Sequence, residues 1–305
     1  VSDDSLSSFR GSLFYFRFGL FSLAVWYLLD NNVNLIKRLT FFFILAYLLA
    51  FIDGYHQYIY GENIFGLSSP FNRLTLLLSE NMLMGHYLVR LFPLFTALII
   101  IQNSTNKVIN ILIISCIFIT TDVLIFISSE RTALGLMLIG TIMIIIFVRK
   151  YKMIRIITFL ISIILMFLIL NNNSVVKNRI VDQTINEMNL FENSNLENDR
   201  IIFFSLEHEG MFLSSLNMYL ENPIFGIGPR LYRAKCSDKI YNSEFCSTHP
   251  HNTYAQVAAE TGSIGLTFIF LLVSYIIYKF IIVIKNYLTG SKSNITDHQI
   301  CLLIC

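Results

Sequence analysis

Seven long apolar runs divide this chain, near residues 12–29, 39–52, 82–101, 108–127, 131–148, 153–170 and 264–284. A helix rises about 1.5 Å per residue and a bilayer's hydrocarbon core is about 30 Å thick, so about twenty apolar residues make one crossing. The run at 39–52 is short for this; the others approach or reach it. No soluble core needs so many, and 55% of the 305 residues are hydrophobic against 14% charged. The expected fold is therefore all-α: a polytopic helical membrane protein with about seven complete spans. Cys301–Cys305 reads as the opening of an eighth, and Val1 stands where a start Met would, so the chain is expected to be a fragment of a longer protein. No internal repeat of fixed period is present.

Lysines and arginines set the expected orientation. The connection between the fifth and sixth runs carries Arg149, Lys150, Lys152 and Arg155 without an acid, which predicts a cytoplasmic position. Alternation then places Lys37-Arg38, Lys107, Lys285 and Lys292 on the same side. The stretch from 171 to 263, with seven Lys/Arg against eleven Asp/Glu, falls on the exported side. This divides the chain into a six-span bundle at 1–170, an exported loop at 171–263 and a C-terminal membrane region at 264–305. Within the loop, residues 171–199 are Asn- and Glu-rich, which predicts a mobile segment. Residues 200–220 read as an apolar-rich helix that Asn222-Pro223 ends.

Charges inside apolar runs are few, and a charge in lipid must snorkel, pair or face a cavity. Arg17, Arg90 and Asp122 fall in the outer halves of their runs, and Arg131 opens the fifth. An Arg90–Asp122 pair is one reading. A polar cavity opening on the exported side, suited to an anionic lipid headgroup, is the other.

The densest chemistry lies just before the last complete run. Residues 246–265 read CSTHPHNTYAQVAAETGSIG, with His249, His251 and Asn252 ahead of a helix-compatible stretch, then Gly262 and Gly265. Three readings are open for this stretch. Cys236, Cys246, His249 and His251 have the donor types of a zinc site, although Cys-x2-His-x-His is an uncommon spacing. His251 can cap the following helix. His251 can also serve as a general base, since an imidazole titrates near neutrality and the adjacent helix N-terminus attracts anions. On an exported face Cys236 and Cys246 are equally a disulfide pair. Arg131, Arg200 and Arg230, with Arg17 and Arg73 behind them, have the fork geometry that grips a diphosphate without metal. No phosphate loop and no Asp-x-Asp metal handle is present, which leaves a lipid-linked diphosphate as donor chemistry.

The segment Glu221–Gly228 (ENPIFGIG), then His251-Asn252, nine residues, Gly262, two residues and Gly265, resembles the O-antigen ligase and O-antigen polymerase superfamily. Gly61–Arg73, Gly85–Leu88 and Ser128–Arg131 are similar to segments that such proteins carry, while Leu76 departs from a glycine often found there. The resemblance implies a metal-independent inner-membrane glycosyltransferase, without cofactor, whose active site is on a large periplasmic loop. It implies inverting transfer of a glycan from undecaprenyl diphosphate to a sugar hydroxyl of lipid A core, or of a second lipid-linked oligosaccharide in a polymerase. In it His251 matches the motif His, His249 is accessory, Arg131 and Arg200 match diphosphate-contacting arginines, and Asn252, Gly262 and Gly265 complete the motif. Its expected partners are the lipid-linked donor, the glycolipid acceptor and membrane lipids, with no nucleic acid. A flippase for the same lipid-linked sugars is the rival from another class; it predicts symmetric halves and charges on both sides.

Overall fold

The computed structural model describes residues 5–32, 34–68, 73–75, 77, 83–101, 107–187, 206–241, 245–289 and 296–304. Its helices are α1 (Ser5–Asn31), α2 (Leu35–Tyr60), α3 (Met84–Ile101), α4 (Lys107–Ile127), α5 (Arg131–Phe147) and α6 (Lys152–Asn172). The short α7 (Ser174–Lys177) and α8 (Gln183–Glu187) follow, joined by a π-helical turn. Then come α9 (Leu206–Glu221), α10 (Tyr232–Lys235), α11 (Thr253–Leu288) and α12 (Asp297–Ile304). Among the described residues the β pairing is one isolated bridge, Glu62 to Ser68.

Six of these helices are long and apolar enough to cross a membrane: α1, α2, α3, α4, α6 and α11. The run at 131–148, counted above as a span, forms the shorter α5 of 17 residues. The expectation of a mobile segment after residue 170 is corrected for its first part. Ser174–Glu187 is helical, because Asn173 caps α7 by accepting the N–H groups of Val175 and Val176 at 3.0 and 3.1 Å. The loop helix expected from residue 200 is described from Leu206, as α9.

The chain forms two compact units. One holds residues 33–183 and 279–305, that is α2–α7, the end of α11 and α12. Its core is aromatic and aliphatic: Tyr47 stacks on Phe95 at 4.3 Å between centroids and donates its hydroxyl to the Leu88 carbonyl at 3.0 Å. Gly54 on α2 lets Leu124 of α4 approach so closely that an added Cβ would overlap it.

Charge pairing in this unit corrects the reading of Asp122. Its partner is Arg155 of α6 and not Arg90: Arg155 Nη1 and Nη2 donate to the two carboxylate oxygens at 2.8 and 2.9 Å. Ser162, at the midpoint of α6, donates to Asp122 at 3.0 Å, and Thr141 of α5 bonds the same guanidinium. Both charged side chains are fully buried, with the guanidinium over the Phe92 and Phe118 rings. A fork that satisfies both oxygens is the condition under which an ion pair tolerates low dielectric. Asp122 is therefore internal cement for α4, α5 and α6, and it lines no outward cavity. Arg90 is exposed.

The other unit holds residues 1–32 and 184–278: α1, α9, α10 and most of α11. Its core gathers Met218, Ile227, Leu231, Tyr232, Cys236, Tyr241 and Ala259, all buried.

Candidate active site

In the second unit, α11 is broken at Gly262, whose φ of 63° and ψ of −156° are open only to glycine. A broken helix exposes carbonyls on one side and N–H groups on the other, and these need partners. Residues 223–228 supply both. Ile227 and Gly228 donate their N–H groups to the carbonyls of Ala259 and Glu260 at 2.9 and 3.0 Å. Pro223 and Ile224 accept from the N–H groups of Ser263 and Ile264 at 2.8 and 3.4 Å. The Ser263 hydroxyl adds a bond to the Pro223 carbonyl at 2.7 Å and meets the Tyr219 hydroxyl at 3.0 Å. Gly226 and Gly262 face each other's segments so tightly that a Cβ on either would overlap backbone of the opposite one. The two sequence blocks singled out above, Glu221–Gly228 and His251–Gly265, thus form one interlocked piece.

Gly265 serves the same junction, since an added Cβ there would overlap the Thr261 side chain. Glu260 is buried and accepts the N–H of Tyr232 at 3.3 Å, fixing the turn that carries Arg230. The Arg230 side chain lies against Gly11 of α1.

The helix that follows the histidines is capped by Asn252, whose Oδ1 accepts the Ala255 N–H at 3.1 Å. The capping role considered for His251 therefore belongs to its neighbour. His251 itself is exposed and adopts a left-handed backbone, φ 52°. A disulfide joins Cys236 and Cys246, with 5.4 Å between their Cα atoms, ten residues apart. It ties the end of α10 to the segment leading into the histidines and removes both sulfurs from any Cys/His metal set.

His249 and His251 are brought together, 4.3 Å between ring centroids, and a third imidazole joins them. His208 of α9 lies 5.2 Å from His251. Nothing in the sequence marks it, because it stands 43 residues before His251 in an unremarked helical stretch. Partial desolvation of the ring, in a residue that is exposed overall, pushes the His251 pKa below its ordinary value, and the like charges of His249 and His208 push the same way. A neutral imidazole is what a proton acceptor at neutral pH requires.

In the first unit three further segments converge. The buried carboxylate of Glu130, in the turn between α4 and α5, accepts the N–H groups of Gly85 and His86 at 2.9 and 3.1 Å and so closes the start of α3. An added Cβ at Gly85 would overlap Ser128 Oγ. His86 Nε2 is 2.9 Å from the Thr132 hydroxyl and 3.5 Å from Glu130. Arg73 and Arg90 act electrostatically on Glu130, and Arg131 begins α5 beside it, exposed. Arg73 stands two residues before Thr75, which a buried network holds: Gln57 donates to Asp53 and exchanges bonds with Thr75, and Asp53 accepts the Ile64 N–H at 3.0 Å.

The candidate arginines thus divide by unit. Arg73 and Arg131 are in the first, Arg230 and Arg17 in the second, where Arg17 is exposed with its guanidinium 4.9 Å from the Phe18 ring. Arg200 and Leu76 lie outside the described residues. Among the described residues the non-glycine positions with positive φ are Ser129, Arg230 and His251, each in one of these segments. Such backbone strain concentrates at functional sites.

A family model described as O-antigen ligase matches residues 113–270, just over half of the chain. The chain belongs to the O-antigen ligase family. No curated protein and no solved structure matches it. The matched range contains the Asp122–Arg155 pair, the Glu130 turn, the disulfide and the whole Gly226–Gly262 junction. Membership makes this a multi-pass membrane protein of the ligase and polymerase type of glycosyltransferase, whose partners are lipid-linked glycans and membrane lipids.

Proposed function

We propose that this O-antigen ligase family member moves a glycan from undecaprenyl diphosphate to a sugar hydroxyl of lipid A core, on the periplasmic face of the inner membrane. His251 is the general base. The acceptor oxygen attacks the anomeric carbon as its proton passes to His251, and the bond from that carbon to the diphosphate breaks. The leaving diphosphate keeps the electron pair, and the arginines of the same unit, from the set Arg200, Arg230 and Arg17, balance its charge. His249 assists beside the base. The observation that carries the reading is the exposed His251 imidazole, biased toward its neutral form, set at the start of a helix that Asn252 caps.

The test is transfer by the purified chain in lipid nanodiscs, given a lipid-linked diphosphate glycan and either lipid A core or a second lipid-linked repeat. Product on lipid A core supports a ligase; product on the second repeat makes the protein a polymerase with the same chemistry. His251→Ala is expected to lower turnover by about 100- to 10,000-fold, the usual contribution of a positioned base. Wild-type turnover by that variant ends the assignment.

A further inference from the structure

His208 is the imidazole at this site that the motif and the proposed step leave unused. It sits in the first turn of α9, between Glu207 and Glu209, and is exposed. Its ring is tilted 55° to that of His251 at 5.2 Å, while His249 stands 4.3 Å from the same ring at 50°. We propose that His208 is a positioning residue which, together with His249, holds His251 in its neutral, proton-accepting form. The inference rests on the reading of His251 as the base.

Like charges about 4 to 5 Å apart repel, so a positive charge at 208 or 249 makes protonation of His251 harder. Desolvation of the ring is the largest influence on His251, and His249, from its own loop, and His208, from α9, act in the same direction. Among the described residues no three His, Cys, Asp or Glu side chains are arranged to hold a metal ion.

Substitution at 208 therefore has opposite effects according to charge. His208→Gln removes a competitor, and the midpoint of His251 rises by roughly half a pH unit. His208→Lys installs a permanent positive charge, and the midpoint falls by a similar amount. His249→Gln is expected to follow His208→Gln. The measurement is an NMR titration of labelled imidazoles in the full chain, with His251→Gln to assign its signal. Because 208 is exposed, both variants are expected to elute as the parent does. Opposite shifts in the Gln and Lys variants, shrinking in high salt, support the inference; an unmoved His251 midpoint in both overturns it. The pH profile of glycan transfer is then read beside the titration. An acid limb that moves with the midpoint supports both readings. A midpoint that moves while the limb stays fixed leaves the cluster in place and removes His251 as the base.

Discussion

Glu130 and Gly262 both close helix ends, by different means. At the start of α3 a buried carboxylate accepts two backbone N–H groups, so the closure depends on a side chain that can be exchanged or titrated. At the break in α11 the partners are the backbone groups of residues 223–228, and the side chain at the critical position is a hydrogen atom. The first closure is limited by charge and the second by space. Both units use both means: Asp53, Asp122 and Glu130 are buried and bonded in one beside the close-packed Gly54 and Gly85, and the other adds the buried Glu260 to its interlocked glycines and disulfide.

Perturbations of charge and of space separate the two kinds of closure, from the largest expected effect down. Gly262→Ala combines a forbidden backbone angle with overlap onto Ile224 and Gly226. Its expected cost exceeds about 5 kcal/mol, seen as loss of the monodisperse peak in size exclusion. Asp122→Asn leaves Arg155 buried without its counter-charge, at about 3–5 kcal/mol. Asp122→Leu with Arg155→Met is expected to recover most of that loss, as measured by denaturant titration in mixed micelles. Opening the Cys236–Cys246 bond with reductant removes about 3 kcal/mol on the loop-entropy account, read as faster proteolysis between residues 236 and 251. Glu130→Gln loses one of two accepted bonds, about 1–2 kcal/mol.

That last variant also carries a pH signature. Burial raises the Glu130 pKa above the ordinary glutamate range, although the Gly85 and His86 N–H groups and Arg73 and Arg90 pull it down. A raised value in the folded state means stability that is present below the unfolded pKa and is lost as pH rises through the folded one. The parent should therefore lose stability relative to Glu130→Gln as pH climbs from about 4, and parallel melting curves would break the charge-limited account. At the small end, an added Cβ at Gly135 of α5 meets nothing within 4 Å. Gly135→Ala is expected to be neutral or to stabilise by up to about 1 kcal/mol.

Much of this was legible in the sequence, because hydrophobic run length and glycine spacing are local signals. The helices fall on the apolar runs, and the blocks at 221–228 and 251–265 stand out by their motif. Pairing between distant residues was not legible. Arg155 lies three residues into α6 beside a basic connection, so it read as an orientation signal; its long side chain instead reaches Asp122, thirty-three residues away in sequence. His208 was missed for the same reason: only the packing of α9 brings it to His251. The mutual fit of Gly226 and Gly262 could not be read from either block alone, since each angle is meaningful only against the other's backbone.

The junction between 223–228 and 259–264 also imposes an order of assembly. A chain made from its N-terminus has Pro223 and Ile224 in hand some forty residues before Ser263 and Ile264 leave the ribosome. Until then those carbonyls lack the partners that the finished junction gives them. This unit therefore becomes complete only once residue 264 has been made, and a stop anywhere before it leaves the junction open.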